Sequence, residues 1–131
     1  MRKHISFSEL KTWYECAFKH KLVYIDKIKE FKGSEHTAFG TAMHYVCENV
    51  FDQKNNLSTM FQQKFLEELT TLKQDNVDLN KKLISEMRIQ GDKMLAHILP
   101  AVKQTFPVFE VISVEEELYV PLEDGSNFKG F

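Results

Sequence analysis

The apolar residues change period once along this chain, and that single change constrains the fold more than any other feature. As far as residue 106 they recur every three or four positions; from Val108 the spacing is lost and β-branched and aromatic residues crowd together. Such a chain is predicted to be a run of helices leading into a sheet, an α/β (α+β) arrangement. Ser6 and Glu9 form a capping box, and Phe7, Leu10, Trp13, Tyr14, Phe18, Leu22 and Ile25 then predict a helix over about 7–24, broken near Cys16. After a loop at Lys32-Gly33-Ser34, Phe39, Met43, Val46 and Val50 mark a second helix from Thr37 to Gln53. Asn55-Asn56 ends it. Ser58 is placed as the cap of a third helix reaching Lys73, with Met60, Phe61, Phe65, Leu66, Leu69 and Leu72 as its stripe. A fourth runs from Leu79 through Leu83, Met87, Met94, Leu95 and Ile98, bends at Pro100 and stops by Pro107.

Residues 108–120 read as one long strand, Glu123 to Asn127 as a turn, and Phe128 to Phe131 as the start of a returning strand. An isolated two-stranded hairpin is marginal in water. The expectation is therefore one domain over 1–131, helical over 1–106 with its first β-hairpin at 108–131, truncated in its sheet. The remaining strands come from a missing C-terminal part or a partner chain.

Size and composition support a packed, water-soluble fold. The 131 residues are 43% apolar and 12% aromatic, enough for a core. No run approaches the roughly 18 apolar residues that span a bilayer. Nothing near Met1 resembles a secretion signal and there are only two cysteines, so the expected location is cytoplasmic, with no membrane partner. Walker, Gly-x-Gly-x-x-Gly and Gly-x-Ser-x-Gly motifs are missing, which leaves those nucleotide-binding and serine-hydrolase routes without support.

The net charge of −2 conceals an uneven distribution. Residues 1–33 hold eight Lys or Arg against four acids, a balance of +4, which leaves −6 for the rest; residues 108–131 hold six acids against Lys129. A basic flank followed by an acidic ribbon fits phosphate contact beside a metal site, and equally a mixed solvated surface. Asp52, Asp92 and the run Glu115 to Glu117 are most simply solvent-facing. If that run is strand, Glu115 and Glu117 share a face, with Glu116 opposite beside Val114, Leu118 and Val120.

In the second predicted helix, Gly40, His44 and Glu48 fall on one stripe beside the apolar face. Gly40 leaves room for a close approach, His44 offers an imidazole nitrogen to a metal, and Glu48 one turn on can share the ion or orient the ring. The same two residues also suit an ordinary i,i+4 surface pair.

Three segments, in order, resemble the RecB-like nucleases of the PD-(D/E)XK superfamily, which include CRISPR-associated and phage exonucleases. Ile5-Ser6-Phe7-Ser8-Glu9-Leu10 followed by Trp13-Tyr14-Glu15-Cys16-Ala17-Phe18-Lys19-His20 resembles their opening helix. Phe39-Gly40-Thr41-Ala42-Met43-His44-Tyr45-Val46-Cys47-Glu48 is similar to their Gly-x-x-x-His-x-x-x-Glu helix. Val114-Glu115-Glu116-Glu117-Leu118 and Phe128-Lys129-Gly130-Phe131 resemble the strands that lead into their Gly-x-x-Asp motif. The resemblance implies a restriction-endonuclease-like fold and Mg²⁺- or Mn²⁺-dependent hydrolysis of DNA, with His44 as metal ligand and Glu48 as a second catalytic candidate. Lys11, Lys19 and Lys21 are candidate DNA-backbone contacts. The expected Asp after Gly130 and the acid-x-Lys pair of the next strand fall past Phe131, so the 131 residues alone are expected to be inactive. Some relatives carry an iron–sulfur cluster; Cys16 stands where its first cysteine would be, with Ala17 in place of the usual Pro, and the other three are absent from the sequence.

Other readings compete. Cys16 can be a buried unpaired thiol. Cys16-x-x-x-His20 and His44-x-x-Cys47 have the donor types of a structural zinc site, although Cys47 is placed toward the apolar stripe, about 60° from His44. A non-catalytic helical module, binding DNA or a protein through Trp13, Tyr14, Lys19 and Lys21, is the third.

Overall fold

The computed structural model describes residues 4–28, 31–52, 54 and 56–130. Arg2, Lys3, Lys29, Glu30, Gln53, Asn55 and Phe131, used in the charge balance and element limits above, lie outside the described residues. The chain divides into two compact units, one from its two ends (1–30 and 113–131) and one from residues 31–112.

In the first unit, β1 (His4–Ser6) runs directly into α1 (Phe7–Glu15). The Ser6 hydroxyl accepts the Glu9 N–H at 3.2 Å, as the capping-box spacing predicts. Cys16 is extended (φ −161°, ψ 106°) and interrupts the helix, which resumes as α2 (Ala17–His20) and a π-helical turn (Lys21–Ile25). Two short strands, β2 (Leu118–Pro121) and β3 (Asn127–Gly130), form a hairpin. Its turn has Gly125 at φ 80° and the Asp124 carboxylate accepting the Ser126 N–H at 2.9 Å. The sheet is open and mixed, ordered β1-β3-β2, with β1 parallel and β2 antiparallel to β3. Phe128 is paired with Ile5 on one side and Val120 on the other.

Two expectations, one of which reaches back into residues 108–112 of the second unit, fail here. The long strand over 108–120 is confined to its last residues: 108–117 form no ladder, Val108 and Ile112 are almost wholly exposed, and Glu115 has φ 50°. High β propensity makes a strand only where a neighbour takes the backbone N–H and C=O groups, and β3 reaches only 118–121. The shared face of Glu115 and Glu117 goes with it. The apolar stripe of the first helix is likewise no core, since Phe7, Trp13, Tyr14, Phe18 and Ile25 are exposed and Glu9 is the one buried residue among the described residues of the unit.

The second unit holds a conventional helical core. Gly33 (φ 108°) turns the chain into α3 (Glu35–Glu48); a Cβ there would meet the Leu72 side chain at 2.7 Å. α4 (Leu57–Gln74) and α5 (Lys81–Thr105) pack against α3 and each other. Ala38, Ala42 and Val46 of α3 present small side chains to the ring cluster Phe39, Phe61 and Phe65. Met87, Gly91 and Leu95, spaced by four, form the buried face of α5.

Sequence and structure differ in detail here too. α3 ends at Glu48, before the expected limit. The cap of α4 is Asn56, whose side chain accepts the Thr59 N–H at 3.0 Å. Ser58 instead donates to Asp92 at 2.8 Å, and Gln62 donates to the other Asp92 oxygen at 3.0 Å, so this half-buried carboxylate is a helix-to-helix tie and not a solvent-facing charge. Leu66 is exposed. α5 continues through Pro100, which removes one backbone donor without ending the helix. No helix among the described residues is long and apolar enough to cross a membrane.

Candidate metal centre

α3 carries the candidate ligands, and its start is well defined. The Thr37 hydroxyl accepts the Ser34 N–H at 2.8 Å, while the Ser34 carbonyl receives the Ala38 N–H at 3.0 Å. With Ala38, Ala42 and Val46 facing the core, the 100° helical step places His44 and Gly40 on the far side of the helix. The expected position beside the apolar face is therefore corrected: the side chain of His44 is 59% exposed, and a Cβ at Gly40 would meet nothing within 4 Å.

His44 Nε2 and Glu48 Oε1 lie 2.9 Å apart, one turn from each other on α3. The sequence spacing foresaw this pairing. It has the geometry of an i,i+4 ion pair, and it also matches the bite of two ligands on one ion: adjacent octahedral donors at about 2.1 Å from a metal are about 3 Å apart. One imidazole nitrogen and one carboxylate oxygen suit Mn²⁺ and Mg²⁺ as donor types, so the residues present fit the divalent ion that the resemblance implies.

The other predicted residues are distributed as follows. Lys11 Nζ is 3.9 Å from Glu15 and Lys21 Nζ is 2.7 Å from Asp26; these lysines and Lys19 are exposed on the helical segment of the first unit. Cys16 is exposed, so the buried-thiol reading fails; its sulfur caps α2, accepting the Lys19 N–H at 3.4 Å. His20 turns to Glu9 and not to Cys16. Cys47 is exposed rather than set in the apolar stripe. The Cys16–His20 half of the zinc reading is therefore not assembled, each of its donors being engaged elsewhere.

Sequence reading missed the pair Glu9–His20, 2.8 Å apart and largely withdrawn from water, and the tie from Glu35 to Asn80. No periodic signal reveals the first: it depends on the break at Cys16.

An α+β chain with an open mixed sheet and a His-x-x-x-Glu helix is the kind of domain in which metal-dependent nucleases are found. The sequence matches the family model of the PD-(D/E)XK nuclease superfamily over residues 4–131, and the chain belongs to that superfamily. No curated protein and no solved structure matches it.

Proposed function

We propose that this chain carries the metal-holding helix of a DNA nuclease of the RecB-like exonuclease type, in which His44 and Glu48 hold Mg²⁺ or Mn²⁺. The supporting observation is the 2.9 Å approach of His44 Nε2 to Glu48 Oε1 within a chain of this superfamily. When bound, the ion supplies Lewis-acid stabilisation of a phosphate oxygen and lowers the pKa of its water. His44 supplies a neutral nitrogen donor. Glu48 supplies a carboxylate oxygen and negative charge. Lys11, Lys19 and Lys21 serve as non-specific contacts to the DNA backbone, which makes binding weaken steeply with salt.

A DNA-cleavage assay of the protein tests this. His44→Ala is expected to abolish Mn²⁺-dependent degradation of DNA with the circular dichroism spectrum unchanged. Glu48→Gln is expected to lower it by about 10–100-fold. Undiminished cleavage by His44→Ala refutes the assignment.

A further inference from the structure

β2 lies at the edge of its sheet, because the order β1-β3-β2 leaves its outer side without a strand among the described residues. All four of its residues are exposed, including the apolar Leu118, Tyr119 and Val120. The Leu122 N–H is accepted by the Ser126 carbonyl at 2.8 Å, so the alternation of an antiparallel pair turns the backbone of Val120 and Leu118 toward β3 as well. The N–H and C=O of Tyr119 therefore point outward. So does the C=O of Pro121, and proline suits such an edge position because it has no N–H to leave unpaired. Side chains hold the edge in place: Lys129, opposite Tyr119 on β3, lies over the Tyr119 ring at 5.7 Å, and both residues donate to Glu117. Acids flank this short apolar stretch. From Ser113 to Asp124 there are five Asp or Glu and no Lys or Arg. Glu117 is engaged by Lys129, whereas Glu116 and Glu123 are exposed and have no hydrogen bond or ion pair among the described residues.

We propose that the outer edge of β2 takes up an extended segment of another protein, an apolar strand with a Lys or Arg at each end. Strand addition of this kind draws affinity from main-chain hydrogen bonds and specificity from side chains. Tyr119 supplies a donor and an acceptor, and Pro121 an acceptor. Leu118 and Val120 give the added strand apolar cross-strand neighbours. The acids choose the occupant. An antiparallel pair of β2 strands from two copies, centred between Tyr119 and Val120, sets Glu116 against Glu123 and Glu115 against Asp124 of the second copy. A parallel pair in register sets each acid against itself. Like charges directly opposite destabilise a sheet pair, so a second copy is disfavoured. The phosphates of a nucleic acid are repelled by the same residues. A strand whose cations face Glu116 and Glu123, seven positions apart, satisfies both ends and covers an edge that otherwise stays open. The proposal does not depend on the metal reading of α3.

The probe is a fluorescein-labelled octapeptide, Lys-Val-Thr-Val-Thr-Val-Thr-Lys, titrated with the protein at low salt and followed by fluorescence anisotropy. It is compared with the same peptide carrying glutamate at both ends, and with two lysine peptides N-methylated at one or the other set of alternate residues. The lysine peptide is expected to bind about tenfold more tightly than the glutamate peptide, because two cross-strand charge pairs change sign. Only the N-methyl set that faces β2 should lose binding, since a strand pairs through every second residue. The Tyr119 amide should gain protection from hydrogen exchange in the complex. Glu116→Lys combined with Glu123→Lys, with its fold checked by circular dichroism, is expected to reverse the preference. Equal binding of the lysine and glutamate peptides, tolerance of both N-methyl sets, or no binding at all overturns the proposal. So does self-association in sedimentation velocity that protects the Tyr119 amide, which would make a second copy the occupant.

Discussion

The carboxylate of Glu35, in the first turn of α3, accepts the backbone N–H of Asn80, the residue that caps α5. Asn80 thereby serves two helices at once, because its side chain accepts the Leu83 N–H at 3.1 Å. Glu35 is buried, and the Asn80 N–H, followed by its own backbone N–H, holds its carboxyl below the ordinary range; burial opposes this and the neighbouring His36 assists it. The folded state thus has the lower pKa. The contribution of Glu35 is fully present above the unfolded-state carboxyl pKa and is lost as pH falls through the folded value. Urea unfolding followed from pH 7 downward should show this acid-side loss. Glu35→Gln, which retains an acceptor but does not titrate there, should reduce it, and Glu35→Ala should cost about 1–3 kcal/mol at neutral pH.

Gly91→Ala is expected to destabilise the helical unit although alanine is the better helix former by about 1 kcal/mol. An added Cβ would lie 2.4 Å from Phe61 Cζ and 3.2 Å from Phe39 Cε2. Phe61 is fully buried, with the Phe65 ring stacked on it at 5.6 Å and the Phe39 ring edge-on at 5.7 Å, so the ring has nowhere to withdraw. Overpacking of this kind costs about 1–3 kcal/mol. A lower urea midpoint for Gly91→Ala, partly restored by adding Phe61→Leu, is the expected result; a higher midpoint contradicts it.

The same contact shows what can be read from sequence. The 3.6-residue period reveals that Met87, Leu95 and their neighbours face inward, because burying one helix face is a local property of the pattern. It does not reveal which ring of another helix meets Gly91. Spacing alone also brought His44 and Glu48 together, since one turn of helix is enough. Residues 108–117 misled because β propensity describes a side chain's suitability for a sheet, whereas a ladder depends on a partner strand. β1 was missed for the converse reason: three residues carry too little alternation, and its pairing comes from β3, more than a hundred residues later. Glu9 and His20 meet only because Cys16 adopts an extended conformation, which no side-chain pattern announces.

Glu117 should titrate below an ordinary glutamate. Its carboxylate receives a hydrogen bond from Lys129 Nζ at 2.7 Å, the larger cause, and one from the Tyr119 hydroxyl at 2.7 Å. In return, the Glu117 carboxylate holds the Lys129 ammonium above its usual range. Carbon-detected NMR titration of the side-chain carboxyls reads the shift directly. Lys129→Met is expected to move the Glu117 midpoint upward by more than Tyr119→Phe does. The reverse order would show that the phenol dominates.

Metal binding by the chain can be followed without any cleavage assay. A nitrogen donor joined to a carboxylate favours Mn²⁺ over the all-oxygen preference of Ca²⁺. Electron paramagnetic resonance of added Mn²⁺ is therefore expected to show a bound fraction that EDTA removes and that excess Ca²⁺ displaces poorly. Glu48→Gln should weaken binding by about 10–100-fold and His44→Ala by at least as much, because the first removes the carboxylate charge and the second removes the nitrogen donor itself. Neither change touches the core, since both side chains lie away from Ala38, Ala42 and Val46, so the unfolding free energy should stay within about 0.5 kcal/mol of that of the unaltered protein. Mn²⁺ binding that survives both substitutions would place the ion elsewhere and remove α3 from the chemistry.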